Sequence, residues 1–273
     1  MRPFAALLRT IALLALVAGL AGCAAKQPGP TAGGEAKAVF TAFSAREGKD
    51  TAPAYSLAGS MSFSRGNRSG RLNYRLYGNT GGATRLDLTT PVGGSYALLF
   101  EDNHGFFAFV PDKNAVYRHG DTRQGAAKLG MPLPFTLGEM AALVAGRFSA
   151  LAPAHYAAAK KTAEGYEYTF SGNSRLSSLS LDFAGNPRHL VGVGIEPWRI
   201  DFADDEAAPG FAAPVARRIT LTTPGGATLV VRVKSLQPRP SPYPVADLEL
   251  PVPPTAAEHA LDGSGDEPSL PEL

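Results

Sequence analysis

Residues 57–76, LAGSMSFSRGNRSGRLNYRL, carry the pattern on which the prediction of the fold rests. Apolar side chains alternate with polar or small ones over residues 57–63 and again over residues 72–76, which is typical of strands with one buried face. The segment between them, residues 65–70, is polar and contains glycine, which suits a turn. We therefore predict an antiparallel β-hairpin.

The same alternation continues along the chain. Runs of aromatic and β-branched residues separated by Gly, Asn and Pro predict strands at residues 84–89, 96–101, 105–110, 115–119, 165–170, 177–183, 189–195, 199–202, 217–222 and 228–234. The sequence TTPGG at residues 222–226 predicts a late hairpin, because its glycines can take positive φ. A flat open sheet of this size seldom persists without curling, so we predict a mainly β protein with a few helices, built on a single curved antiparallel sheet.

Only two segments carry a strong helical pattern. In residues 35–47, Ala36, Val39, Phe40 and Phe43 recur at the spacing of a buried helical stripe. This segment is therefore predicted to lay one apolar face on the sheet.

The second helix is predicted to begin after Thr136. The Thr136 hydroxyl can cap it, while Glu139 reaches back to close a capping box. Gly146 is the expected stop. The apolar stripe of this candidate lid consists of Leu137, Met140, Leu143 and Val144.

Two helices are few for so much sheet. Apolar area left in water costs roughly 25 cal/mol per Å², so the concave face of the sheet has to be covered. If the helices cover it only in part, a cavity remains that can hold one apolar ligand, and an acyl chain gains about 0.8 kcal/mol per methylene buried there. The alternative is a concave face filled by the protein's own side chains, and the pattern alone leaves both open.

The amino-terminal residues have the pattern of an export signal. Two arginines accompany an apolar run at residues 11–20, which is too short to span a bilayer. The sequence LAGC at residues 20–23 resembles a lipobox, and Cys23 is the only cysteine. We expect residues 1–22 to be a signal peptide and Cys23 to carry a covalent N-acyl diacylglyceryl lipid. Ala24 stands where an aspartate often signals retention in the inner membrane, which favours the outer membrane.

Composition divides the remaining chain. Residues 23–34 are small and contain Gly and Pro, which predicts a flexible tether, and residues 35–237 form the predicted β domain. Residues 238–273 predict a Pro-rich acidic tail that is disordered from residue 256 onward. The whole chain carries a formal charge of +2, and no run of Lys and Arg indicates a polybasic surface.

Patterns of catalysis and metal binding are weak. GGSYA at residues 93–97 departs from the Gly-x-Ser-x-Gly nucleophile elbow, and the histidines lack metal-ligand spacing. Asp204-Asp205-Glu206 lacks the alternating ligands of a calcium loop and is expected in a solvated loop. We therefore expect no enzymatic activity and no cofactor besides the lipid. Export argues against nucleic acid as a partner.

Several segments resemble the LolB family of outer-membrane lipoprotein receptors. LGMPLP at residues 129–134 leads into the capped helix, as a Gly-hydrophobic-Pro-hydrophobic-Pro run does in that family. TTPVGG at residues 89–94 stands where the family has a Pro-hydrophobic-Gly loop between two strands. The order and spacing agree over residues 55–237, and LELPVPP at residues 248–254 resembles the close of the related periplasmic carrier LolA.

The resemblance implies an unclosed half-barrel with a helical lid over an apolar cavity for acyl chains. It implies a monomer, anchored on the periplasmic face of the outer membrane, that takes lipoprotein cargo from a LolA-like carrier and places it in that membrane without a nucleotide. The alternatives are an envelope structural or interaction lipoprotein without lipid cargo, and a general lipid-binding lipoprotein.

The resemblance also implies a membrane-insertion loop at Pro91, Val92 and Gly93, where the family has a protruding Leu. Val92 offers less apolar area than Leu, and a second glycine follows it. The alternative is an ordinary turn residue folded back on the sheet. Tyr74 and Leu143 stand where family members often have Trp.

The candidate cavity residues are apolar positions of the predicted strands. They are Leu72, Tyr74, Leu76, Leu86, Leu88, Leu98, Phe107, Phe109, Tyr168, Leu181, Val193 and Val231, and each is equally explicable as core. Both faces carry aromatic side chains at residues 96–109, so the register there fits either face.

Overall fold

One β-sheet organises the described part of the chain. The structure, a computed structural model, describes residues 33–46, 52–131, 133–148, 151–193, 196–211 and 214–262. Within these ranges, fourteen strands hydrogen-bond side by side. Cys23, the predicted signal peptide and Pro132 lie outside the described residues, as does nearly all of the predicted tether.

The strands follow the sequence pattern closely. They are Ala54–Arg65 (β1), Arg68–Asn79 (β2), Thr84–Thr89 (β3), Ser95–Asp102 (β4), Gly105–Val110 (β5), Ala115–His119 (β6), Ala158–Lys161 (β7), Gly165–Thr169 (β8), Leu176–Asp182 (β9), Pro187–Gly192 (β10), Trp198–Glu206 (β11), Val215–Thr222 (β12), Thr228–Arg239 (β13) and Ala257–Ala260 (β14). β1 and β2 form the hairpin predicted at residues 57–76, with Leu57 paired to Leu76. β7 and β14 were not predicted.

Two antiparallel meanders meet in the middle of the sheet. β1 to β6 follow one another in order, as do β7 to β13, and β1 pairs with β13. β14 joins β6 in parallel at one edge, and β7 forms the other. The sheet is therefore single, curved and not closed into a barrel, which confirms the predicted fold class.

Two rows of apolar side chains cross the inner face of this sheet. Directly paired residues of antiparallel strands share a face, so each row can be followed from strand to strand. The first row is Leu236, Leu57, Leu76, Leu86, Leu99, Ala108 and Tyr117. The second row is Leu229, Leu221, Ile200, Leu190, Leu179, Tyr168 and Ala159. Both rows pack in one hydrophobic cluster, so the inner face is apolar on every strand from β1 to β13.

A β-bulge in β13 keeps the two rows on the same face. Leu229 and Leu236 are seven positions apart, and this odd spacing would place them on opposite faces of a regular strand. The pairing with β1 shifts between Ala58 and Gly59, which pair with Ser235 and Val233 respectively. The extra residue of the bulge returns the later part of β13 to the inward direction.

Four helices occur in the described ranges. They are Gly34–Arg46 (α1), Thr122–Lys128 (α2), Leu137–Val144 (α3) and Val245–Leu248 (α4), together with a 3-10 turn at Pro111–Lys113. α1 and α3 confirm the two predicted helices. At α3, Glu139 N donates to Thr136 Oγ1 at 3.1 Å and Thr136 N donates to the Glu139 carboxylate at 2.9 Å, which closes the predicted capping box. α2 was missed because its sequence, TRQGAAK, has no apolar stripe.

The acidic run Asp204-Asp205-Glu206 lies at the end of β11, which corrects the solvated loop expected for it. Each of these carboxylates pairs with an arginine of a neighbouring strand. The pairs are Asp204–Arg218 at 3.3 Å, Asp205–Arg188 at 2.7 Å and Glu206–Arg217 at 3.0 Å. The charges are therefore neutralised within the sheet.

The C-terminal strap, residues 240–262, covers part of the outer face. Ala54 and Tyr77 of the sheet pack with Tyr243 and Leu248 of the strap. A second outer cluster joins Leu98, Phe109 and Val116 to Leu250 and Ala256. The expected disorder from residue 256 onward is therefore wrong for β14, because an apolar patch on the outer face has to be covered and the strap supplies the side chains.

Polar contacts also attach the strap. Tyr243 N donates to Asn79 Oδ1 at 2.7 Å, and Lys128 Nζ donates to the carbonyl of Leu261 at 2.7 Å. Two of the acidic residues that suggested disorder make polar contacts with the sheet instead. Glu258 forms an ion pair with Arg118 at 2.8 Å, and a carboxylate oxygen of Asp262 lies 3.0 Å from His119 Nε2.

Replacing Leu248 by Asp is expected to release the strap. Leu248 is 0% exposed, and an unpaired carboxylate buried there costs roughly 3 kcal/mol. Hydrogen exchange at Ala257–Ala260 and proteolysis within the strap should both become faster. Val245→Asp is the matched control, because Val245 lies in the same short helix and is 69% exposed. Equal exchange in the two variants would contradict this account of the strap.

Candidate functional site

The inner face brings most of the predicted site residues together. The strand residues found there, all buried in one cluster, are Leu72, Tyr74, Leu76, Leu86, Leu88, Tyr168, Leu181 and Val231. The lid residues Leu137, Met140, Leu143 and Val144 pack against them from α3. Their role in binding remains a proposal, developed below.

Four of the predicted cavity residues lie elsewhere. Leu98 and Phe109 pair with each other on the outer face, under the strap, and Phe107 faces outward beside Phe100. Val193 is 50% exposed beyond the end of β10. The inward-facing residues of β5 are instead the buried Phe106, Ala108 and Val110. The sequence pattern of β4 and β5 gave the wrong face for these residues, because the strap makes the outer face of both strands apolar as well.

α1 closes the inner face over β7 to β10 with aromatic side chains. The Phe40 ring lies 4.9 Å from that of Tyr156 and 5.0 Å from that of Tyr168. The hydroxyl of Tyr168 donates to the carbonyl of Ala36 at 2.8 Å. Phe43 packs on Phe148, a residue beyond α3 that sequence analysis had not selected. The two helices therefore form one continuous cover, called the lid below.

α3 is held at its N-terminus by both halves of the sheet. Leu137 N donates to Glu101 Oε2, at the end of β4, at 2.7 Å. From the other half, Arg175 donates to the Glu139 carboxylate and, at 2.6 Å, to the carbonyl of Pro134. Arg175 lies immediately before β9, so these contacts connect the two walls through the helix.

The lid fills the space where a cavity was expected. The recess found between the C-terminal ends of α1 and α3 encloses only about 60 Å³ and is lined by Phe43, Arg46, Leu143 and Phe148 among others. Pockets for small ligands usually enclose about 300–1,000 Å³. At this recess the aromatic residues of α1 and of the segment after α3 pack the inner face, so little of the expected cavity is open there. An acyl chain has room at this recess only if the lid moves.

The predicted insertion loop forms a tight turn between β3 and β4. Thr90 N donates to the carbonyl of Gly94 at 2.8 Å, and Gly93 N donates to that of Thr90 at 3.0 Å. Pro91, Val92 and Gly93 form a three-residue hairpin loop, whose third residue takes a positive φ, and Gly93 has a φ of 98°. Val92 is 95% exposed, so its side chain is not folded back on the sheet.

Two further features bear on function. Over the described residues, no group of three or more His, Cys, Asp and Glu side chains is arranged to hold a metal ion. A separate search of the same ranges found no helix with the length and apolar character needed to cross a membrane.

Arg175→Ala is expected to loosen α3. The substitution removes the donor to Glu139 Oε1 and to the Pro134 carbonyl, so amide exchange over Leu137–Val144 should become about tenfold faster, measured by hydrogen exchange. Arg199→Ala is the control, because Arg199 pairs with Asp201 at the surface, away from the lid. Unchanged exchange in α3 of the Arg175 variant would show that apolar packing alone holds the lid.

Comparison with known proteins identifies the fold. No family model matches the chain, and no curated protein matches it. A LolA superfamily protein from Nitrosomonas europaea is similar over 79% of this chain and 97% of its own, with 12% identity and a TM-score of 0.53. A putative outer membrane lipoprotein-sorting protein domain from Vibrio parahaemolyticus covers 77% of this chain and 94% of its own, with 13% identity and a TM-score of 0.52. A DUF1329 family protein from Desulfovibrio piger covers 79% and 97%, with 14% identity and a TM-score of 0.53. The chain therefore shares the fold of these proteins.

Proposed function

We propose that the chain is an outer-membrane lipoprotein that binds the acyl chains of other lipoproteins beneath its lid and passes them from a soluble periplasmic carrier to the membrane. The observation that carries the proposal is the inner face itself. It is apolar on every strand from β1 to β13, and two short helices close it. The names of two solved proteins of the same fold, a LolA superfamily protein and a lipoprotein-sorting domain, support this function.

The filled interior is compatible with binding because lid and ligand are chemically alike. When α1 and α3 leave the inner face, the sheet loses contacts with aromatic and aliphatic side chains. An entering acyl chain restores apolar contact at about 0.8 kcal/mol per methylene buried. The lid and the ligand therefore compete for one surface, and the exchange is driven by differences in affinity and needs no nucleotide.

At the start of α1 the charged contacts of the lid are exposed, which favours such an exchange. At the start of α1, Glu35 accepts from the Tyr166 hydroxyl at 2.8 Å and pairs with Lys161 at 3.4 Å. The hydrogen bond from Tyr166 and the charge of Lys161 lower the pKa of Glu35, so this contact persists at neutral pH. An exposed pair of this kind contributes little stability, so apolar packing, which a ligand can replace, holds most of this end of α1.

The expected anchor and the exposed turn support a transfer that takes place at a membrane. The lipid on Cys23 would hold the chain on the outer membrane, and Val92 would enter the bilayer beside Pro91 and Gly93. Full burial of one valine side chain contributes about 1.5 kcal/mol. This amount suits a brief contact during delivery.

The small size of the recess favours a second candidate. A chain whose inner face never opens would be an envelope structural or interaction lipoprotein without cargo, and one that binds free lipids only would be a general lipid-binding lipoprotein. The two tests below separate these possibilities from lipoprotein transfer.

The mature chain carrying Cys23→Ala is expected to take up a pyrene-labelled alkane, because the inner face becomes accessible whenever the lid opens. Uptake is measured by the change in pyrene fluorescence and should be reversed by unlabelled fatty-acid esters. The Arg175→Ala variant should take up the probe faster, about tenfold if lid opening limits the rate. No uptake by either protein would favour the interaction lipoprotein.

Val92→Asp is expected to slow delivery without preventing cargo binding. Anchored protein is mixed with cargo-loaded carrier and with vesicles of outer-membrane lipids, and the cargo is followed into each. Transfer from the carrier should be unchanged, while delivery to vesicles should slow about fivefold or more because a carboxylate resists entry into the bilayer. Val245→Asp is the control, as Val245 is also an exposed valine. If no cargo leaves the carrier, the proposed transfer function is wrong. If Val92→Asp and Val245→Asp deliver cargo to the vesicles at the same rate, only the proposed role of the insertion loop is wrong.

A further inference from the structure

Tyr74 carries a buried hydroxyl that the protein does not use. The side chain is 4% exposed, and among the described residues its oxygen has no hydrogen-bond partner. A buried hydroxyl without a partner costs about one hydrogen bond, so such groups are rare in folded proteins. A substitution to Phe would remove this cost while keeping the ring.

The ring of Tyr74 lies on the inner face, in the hydrophobic cluster that also contains the lid residues. Tyr74 pairs with Gly59 on one side and with Leu88 on the other, and it belongs to the same cluster as the lid residues. A Cβ on Gly59 would stand 2.9 Å from Cε1 of the Tyr74 ring and 1.9 Å from the carbonyl oxygen of Arg232. Glycine at position 59 therefore leaves room for the ring to lean over β1, which keeps it against the middle of the sheet.

Two other tyrosines of the inner face have partners. The hydroxyl of Tyr55 lies 2.8 Å from Thr84 Oγ1, and that of Tyr168 donates to the Ala36 carbonyl at 2.8 Å. Burial raises the pKa of Tyr55 to about 12 and also raises that of Tyr74, so both stay protonated at neutral pH. Tyr74 differs from them in offering a donor directed at apolar neighbours.

We propose that the Tyr74 hydroxyl donates a hydrogen bond to the carbonyl oxygen of an acyl chain bound on the inner face. This assignment rests on the proposed function. A fatty ester or amide brings one strong acceptor at the end of a hydrocarbon chain, and among the described residues Tyr74 presents an unpaired donor within the apolar surface of the inner face. The hydrogen bond fixes where the carbonyl end of the chain lies, over β1 and β2, and so distinguishes acylated ligands from plain hydrocarbons.

The test compares two proteins that both carry Cys23→Ala, one with Tyr74→Phe and one that keeps Tyr74. Three pyrene-labelled probes of equal chain length are used: a fatty-acid methyl ester, the corresponding N-methyl amide and the alkane. Tyr74→Phe should weaken binding of at least one carbonyl probe about fivefold and leave binding of the alkane unchanged. The free energy of unfolding of the ligand-free protein should be unchanged or higher.

Tyr55→Phe is the matched control. It removes a buried hydroxyl that has a partner, so it should lower the free energy of unfolding without changing the preference among the probes. A loss confined to the ester or to the amide supports the assignment and identifies which carbonyl is held. If the Tyr74→Phe variant binds each of the three probes with the same affinity as the protein that keeps Tyr74, the role of Tyr74 is overturned and the proposed function stands. If no probe binds the Cys23→Ala protein that keeps Tyr74, the proposed function and this inference fail together.

Discussion

The structure depends on one constraint, which is that a wide sheet with a continuous apolar inner face has to be kept from water. Leucine follows leucine from Leu236 to Leu99 along one row, and the second row continues to the edge at β7. No single helix covers such a face. The chain meets the constraint with α1, α3 and the aromatic residues beside them, and the curvature of the sheet brings its two halves within reach of the same lid.

The same constraint explains how the candidate site differs from a preformed pocket. A rigid cavity of this composition would leave apolar walls in water between ligands, at a cost that rises with its area. Here the protein's own side chains occupy the face. In the proposed function, affinity would be set by the difference between lid and ligand, and contacts such as those of Arg175 and Glu101 with α3 would adjust that difference.

Sequence patterns predicted those elements whose causes are local. The capping box at Thr136 and the alternation from Leu72 to Leu76 need only neighbouring residues, and both are present in the structure. The direction of Leu98 and Phe109 could not be predicted, because it depends on a strap more than a hundred residues away that makes both faces apolar. β14 has no alternation of its own and exists because β6 offers an edge. The packing of aromatic side chains on the inner face could not be predicted from the sequence either, because it depends on how Phe40, Phe43 and Phe148 contact one another in the folded chain.

The β1–β13 pair has a consequence for how the chain folds. It joins Ala54 to Arg239, so the centre of the sheet forms only after nearly all of the domain is available. Contacts between such distant residues slow folding, while each meander can assemble from local hairpins. Until the halves meet, β1 and β13 are unpaired edges beside an uncovered apolar face, a combination prone to aggregation. A chain of this topology is therefore expected to depend on protection by a chaperone during the interval before its two halves dock.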